Sequence, residues 1–183
     1  NAINFIDGLD GLAASQILIS IFSLILFSYF LGNFYFDKLI LYLILSLIVF
    51  LIFNLGIIPN LKIFLGDSGS NFLGFFLAWL IIFYSNPSNN FIHPVLAIWT
   101  ITYPLFDFLF VIIFRLLDKK SPFTADLTHL HYKLLSKTNS KIKTLIILIL
   151  ISSSLNTIGA LIFFQFNSFL ALVFFFLLFL IYL

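Results

Sequence analysis

The chain has 183 residues, of which 62% are hydrophobic and 9% charged, with 27 phenylalanines, no cysteine and a formal net charge of +2. Soluble domains average about 45–50% apolar and about 25% charged residues, so a water-soluble fold of this length is excluded and the solvent must be lipid. Without cysteine, disulfide frameworks and thiol catalysis are excluded as well.

The chain opens on Asn1 without an initiator Met and stops inside an apolar run at Leu183, which reads as the C-terminal part of a longer protein with its first spans absent. The opening lacks a basic stretch followed by a cleavage site, so it is not a signal peptide. Its residues, Asn1-Ala2-Ile3-Asn4-Phe5-Ile6-Asp7-Gly8-Leu9-Asp10-Gly11-Leu12-Ala13, place two carboxylates three apart, each followed by glycine. On a helical turn Asp7 and Asp10 share a face, and glycine lets a ligand approach the backbone closely. Such a pair can hold Mg²⁺ or accept hydrogen bonds from a sugar or nucleobase. The plainer reading is a helix N-cap favoured by the dipole.

Six apolar segments then follow, near Leu12–Leu31, Leu39–Ile58, Phe72–Tyr84, Pro94–Phe114, Leu145–Phe164 and Phe169–Leu183. Lipid cannot satisfy backbone N–H and C=O groups, so each is expected to be helical. The fold class is therefore all-α: a single transmembrane domain over residues 1–183, with about six transmembrane helices. Before the third segment lies Phe64-Leu65-Gly66-Asp67-Ser68-Gly69-Ser70-Asn71-Phe72-Leu73-Gly74. This reads as a turn feeding a helix N-terminus, where free N–H groups favour phosphate, with Asp67 beside it for Mg²⁺. An ordinary capped turn would use the same residues.

Asp107 lies inside the fourth segment, roughly two turns before Arg115. An ionisable group there is a functional candidate by default, although a structural pair with Arg115 or a backbone donor is the simpler reading. After it come Ser121-Pro122-Phe123-Thr124-Ala125-Asp126-Leu127-Thr128-His129-Leu130-His131-Tyr132. Two imidazoles two apart cannot share a helix face, but from a loop they can converge to ligate a metal, meet a diphosphate or move a proton. A basic juxtamembrane loop on anionic lipid is the alternative.

Seven of the nine basic residues fall between Arg115 and Lys143, which places that loop in the cytoplasm. Counting back through the spans puts Pro59–Ser68 and Asn1–Gly11 there too. Asp7, Asp10, Asp67, Asp118, Asp126, His129 and His131 then share the cytoplasmic side, while Asp37 and His93 face outside.

Taken together, Asn1 to Ala13, Phe64 to Gly74, Pro104 to Arg115 and Ser121 to His131 resemble, in order and spacing, the polyprenyl-phosphate N-acetylhexosaminyl-1-phosphate transferases. The likeness extends to about Leu135. The Pro-Leu-Phe-Asp run and the histidine pattern look more like the enzymes that prime O-antigen, enterobacterial common antigen or teichoic acid. They look less like the phospho-MurNAc-pentapeptide transferase.

The resemblance implies transfer of N-acetylhexosamine 1-phosphate, with GlcNAc expected, from a UDP-sugar to undecaprenyl phosphate, with UMP released. It implies Mg²⁺, or Mn²⁺ in its place, held by Asp67 and Asp7, with Asp7 at the catalytic centre. Asp10 would help recognise uridine, His129 and His131 would bind the nucleotide diphosphate, and Asn1 and Asn4 would orient substrate. Gly69, Ser70 and Arg115 complete the expected substrate-binding set. The implied partners are the lipid phosphate, the UDP-sugar and the membrane, with a homodimer open and no nucleic acid. The implied location is the bacterial plasma membrane, with the site on the cytoplasmic side.

Two departures stand out. The family's earlier aspartate-pair motif would precede Asn1, so the piece by itself is expected to be inactive. Tyr132 stands where many relatives have another histidine; it can donate a hydrogen bond but is no cation near pH 7. A transporter fragment would instead place acids deep in several spans, and only Asp107 is so placed. An inactive scaffold that keeps the motifs is the remaining alternative.

Overall fold

The computed structural model describes residues 1–119, 121 and 128–183. Among them the regular structure is entirely helical: α1 (Ala2–Ile6), α2 (Leu12–Phe30), α3 (Lys38–Asn54), α4 (Gly66–Ser85), α5 (Pro94–Trp99), α6 (Thr102–Leu117), α7 (Leu130–Thr138), α8 (Lys141–Gln165) and α9 (Ser168–Tyr182).

Three of these, α2, α4 and α8, are long and apolar enough to cross a membrane. The apolar helices α3 and α9 are shorter, at 17 and 15 residues; at 1.5 Å per residue α3 reaches about 26 Å, against a hydrocarbon core of about 30 Å. Large side chains such as Phe64, Phe75, Phe169 and Ile181 face outward, an arrangement that suits lipid and not water. Small and hydroxyl residues are buried between helices beside the Ile and Leu core. Ala13, Ala14, Ser15 and Ser20 are buried on α2, where short side chains let helices approach closely. Helix α2 is the core of the bundle, with 61% of its span window buried against 28% for α4 and for α8; it packs on α3, α4 and α8.

The helix ends follow from the sequence. Asp37 accepts from Lys38 N at the start of α3, and Asn167 accepts from Leu170 N at the start of α9, each meeting an otherwise orphaned donor. At the head of α2, Gly11 has φ +79°, a conformation that disfavours any side chain.

The fourth apolar segment was expected to run unbroken from Pro94 to Phe114. It is broken into α5 and α6 at Thr100 and Ile101. Pro104 has no N–H, so the Thr100 carbonyl four residues earlier loses its helical donor. Ser20 Oγ on α2 donates to that carbonyl at 2.7 Å. Asn156 on α8 reaches the break too, with its amide oriented to accept from Ser23 Oγ at 2.8 Å and donate to the Trp99 carbonyl at 2.5 Å. Buried between helices, the freed backbone is satisfied by neighbours, the condition under which a break is tolerated inside a membrane.

One helix, α7, follows none of the apolar segments. It is a short stretch packed on α8, carrying His131 on its buried side and Lys133 and Lys137 on its exposed side.

Candidate active site

The loops at one end of the bundle converge. Helix α1 packs on both α4 and α6, which brings the N-terminal motif against the other two. Asn4 Nδ2 lies 3.1 Å from Asp67 Oδ1 and 2.9 Å from Ser70 Oγ, so the first and second motifs are joined directly. Ser70 is fully buried and its hydroxyl donates back to the helix, with the Gly66 carbonyl at 3.0 Å. Gly69 stands one turn into α4, over the Leu65 side chain. Asp67 is exposed in the first turn of α4, where the helix dipole favours a carboxylate.

Asp7 caps the C-terminal end of α1. Burial, then the charges of Asp67 and Asp10, push its carboxyl up to about 6. Asp10 sits in the next turn, and the two acids do not share a helix face as the spacing had suggested, because α1 ends at Ile6. Asp10 instead accepts from Lys62 Nζ at 2.7 Å and Lys141 Nζ at 3.0 Å. Burial works against its ionisation, but the two lysines prevail and hold it below the usual carboxylate range. The loop bearing Lys62 is tied down by Asn54, which accepts from Gly11 N at 2.6 Å and donates to the Ile63 carbonyl at 2.8 Å.

The third motif closes over the first. A Cβ on Gly8 would stand 2.7 Å from His131 Nε2 and closer still to the Tyr132 hydroxyl, so only glycine lets the Asp7–Gly8 turn lie against these rings. The rings of His129 and His131 stack with centroids 5.3 Å apart, and Phe5 meets His129 edge-on at 5.8 Å. His131 is buried, and among the described residues neither of its ring nitrogens has a hydrogen-bond partner. Burial drives it down to about 4, with Asp107 opposing and His129 assisting, so it is uncharged at neutral pH. Arg115 is buried with its guanidinium over the Phe5 ring at 5.5 Å. Residues 122–127, and with them Asp126, lie outside the described residues.

Asn1 stands at the N-cap of α1 without a capping side-chain hydrogen bond. It lies at the rim of an apolar cavity of about 200 Å³ walled by Ile3, Leu77, Ile81 and Pro104.

Asp107 is the group whose place the sequence did not settle. Of the two structural partners considered for it, the backbone donor is present: Leu130 N donates to Oδ1 at 2.9 Å. Its other partners are His129 Nδ1, 2.7 Å from Oδ2, and the Tyr182 hydroxyl, 3.1 Å from Oδ1. Nothing in the spacing connects Tyr182, in the last helix, to this site. Lys62 and Lys141, 79 positions apart in sequence, were likewise invisible as partners of one acid.

Two groups could hold a cation. Asp7 and Asp67 repel one another, and a divalent ion such as Mg²⁺ could relieve that repulsion. Asp107, His129 and His131 also converge, their ligand atoms within 4.8 Å of one another. There, however, both Asp107 oxygens are engaged, and imidazole suits softer metals.

Residues 1–85 match the sequence model of glycosyl transferase family 4. The chain is 29% identical over 162 residues to the undecaprenyl-phosphate alpha-N-acetylglucosaminyl 1-phosphate transferase of Escherichia coli K12, covering 88% of the chain and 44% of that relative. It is 33% identical over 121 residues to the protein of the same name from Haemophilus influenzae, covering 65% and 34%. With the Salmonella typhi protein of that name the figures are 32% over 133 residues, 72% and 36%. The chain thus spans less than half the length of these relatives. No solved structure matches it.

Proposed function

From the premise that this chain is a relative of the family 4 glycosyl transferases, we propose that the protein it comes from transfers GlcNAc 1-phosphate from UDP-GlcNAc to undecaprenyl phosphate. The reaction starts lipid-linked glycan assembly at the inner face of the bacterial plasma membrane. The observation that carries this reading is the Asn4–Asp67–Ser70 junction with Asp7 alongside, which gathers separated motifs at one end of an apolar helix bundle. The relatives' names support undecaprenyl phosphate as acceptor and N-acetylglucosamine 1-phosphate as the group transferred.

In the proposed reaction an oxygen of the lipid phosphate attacks the phosphorus attached to the sugar. The bond from that phosphorus to the bridging oxygen breaks, and UMP leaves with the electron pair. Lipid phosphate is confined to the membrane boundary and the nucleotide arrives from water, so chemistry is expected where loops meet helix ends. Asp7 and Asp67 would hold Mg²⁺, which screens the anion-on-anion approach and the charge developing on UMP. Asn4 fixes the orientation of Asp67. Asp10, pinned by Lys62 and Lys141, anchors the turn expected to meet the nucleoside. His129 and His131 are proposed to face the diphosphate, His129 through its Nε2 edge and His131 as a neutral wall.

The test is UMP exchange by the full-length protein in membranes, with Mg²⁺, UDP-GlcNAc and labelled UMP. The unmutated protein should exchange label, and Asp67→Asn should lower the rate by on the order of 100-fold or more. No exchange with any UDP-N-acetylhexosamine would end the proposal.

A further inference from the structure

The geometry points to Asp107 and Tyr182 as positioning residues that set the tautomer and orientation of His129, coupling the last helix to the proposed nucleotide site. The inference rests on the reading above only for which ligand His129 meets. The arrangement itself stands on contacts within the chain.

Asp107 is fully buried on α6, and its carboxylate accepts three hydrogen bonds. Leu130 N donates to Oδ1 and fixes the backbone at the start of α7. The Tyr182 hydroxyl donates to the same oxygen. The other oxygen, Oδ2, lies 2.7 Å from His129 Nδ1. A carboxylate offers no proton, so Nδ1 must carry the hydrogen, and Nε2 is left as the nitrogen that can meet a ligand. A carboxylate behind an imidazole fixes the ring in this way at many sites. The ring is held on its faces as well: His131 stacks on it and Phe5 meets its edge.

Tyr182 belongs to the arrangement through packing. Its ring contacts Phe106 and Phe110, which flank Asp107 on α6. The hydroxyl is therefore delivered to the carboxylate by an apolar stack between α6 and α9. Helix α9 lies well beyond the matched residues 1–85, and it reaches this end of the bundle through the Tyr182 hydroxyl.

Asp107→Asn separates this role from plain folding. The Asn carbonyl still accepts from Leu130 N and Tyr182, and the side chain keeps its shape. Its NH₂ now faces Nδ1 and donates to it, which moves the ring proton to Nε2. Nitrogen-15 NMR of histidine side chains in the full-length protein in detergent, with His129→Gln used to assign the signal, should show an Nδ1–H ring in the unmutated protein and an Nε2–H ring in Asp107→Asn. This readout needs no activity, so it fails or succeeds independently of the transferase reading.

Where exchange activity is present, Asp107→Asn should lower UMP exchange on the order of 10-fold to 100-fold, the scale of a hydrogen bond to a charged group. Tyr182→Phe should lower it a few-fold. In the His129→Gln background, Asp107→Asn should add nothing, because it acts through a ring no longer there. An unchanged tautomer in Asp107→Asn, or full additivity of the two substitutions, would overturn the proposal.

Discussion

The charge state of Asp7 is the most sensitive property of the proposed site. Its carboxyl is raised to about 6 by burial and by Asp67 and Asp10, so the folded protein binds a proton there more tightly than the unfolded chain does. A raised carboxyl contributes stability that is fully present below the unfolded value near 4 and is lost as pH rises through about 6. In metal-free detergent solution at pH 7.5, Asp7→Asn should therefore raise the melting temperature, and at pH 4 the difference should vanish. A divalent cation competes with that proton. The acid limb of UMP exchange should accordingly lie near pH 6 at low Mg²⁺ and move to lower pH as Mg²⁺ is added. A limb insensitive to Mg²⁺ would separate Asp7 from the cation. Asp10 behaves oppositely, since Lys62 and Lys141 keep it ionised. Lys141→Gln should weaken its hold on the turn with no shift in that limb.

At the scale of the elements, the break between α5 and α6 is the feature most open to mutation. Trp99 packs against Gly159 of α8, where an added Cβ would clash with the indole. The indole is fully buried, with Nε1 donating to the Ala171 carbonyl at 3.3 Å, so it cannot swing aside. Gly159→Ala should destabilise the bundle by about 1–3 kcal/mol, as overpacking does, despite the better helix propensity of alanine. Ser20→Ala removes the donor to the Thr100 carbonyl and should cost about 1 kcal/mol, within the range of polar contacts between membrane helices. Thermal unfolding in detergent measures both, and a stabilised Gly159→Ala protein would contradict the packing described. Most helices were legible from apolar run length. The break was not, since a proline such as Pro104 also sits quietly in many spans, and the hydroxyl that accommodates it here comes from a residue 80 positions earlier.

For the whole molecule, orientation is the open quantity with the sharpest test. These 183 residues contain no cysteine, so single cysteines placed here report position once any cysteine elsewhere in the full-length protein is replaced. Lys137→Cys on the exposed side of α7 and Ser88→Cys between α4 and α5 lie at opposite ends of the bundle. An impermeant thiol reagent applied to intact cells should label position 88 and spare position 137, and inside-out vesicles should reverse the pattern. Labelling of both from one side would remove the membrane arrangement and the cytoplasmic site together.

The residues by themselves determined the solvent, because no aqueous fold can bury this many apolar side chains. They also determined the helical class, because lipid leaves the backbone no other partner. The grouping of acids and histidines at one end followed from alternating span and loop. Only the tertiary structure decided which of these groups meet: Asn4 with Asp67, Asp10 with two lysines, His129 with Asp107 and Tyr182. Side-chain pairing across 22 to 131 positions depends on helix packing, to within an ångström or so, and a one-dimensional pattern of apolar runs carries no information at that precision.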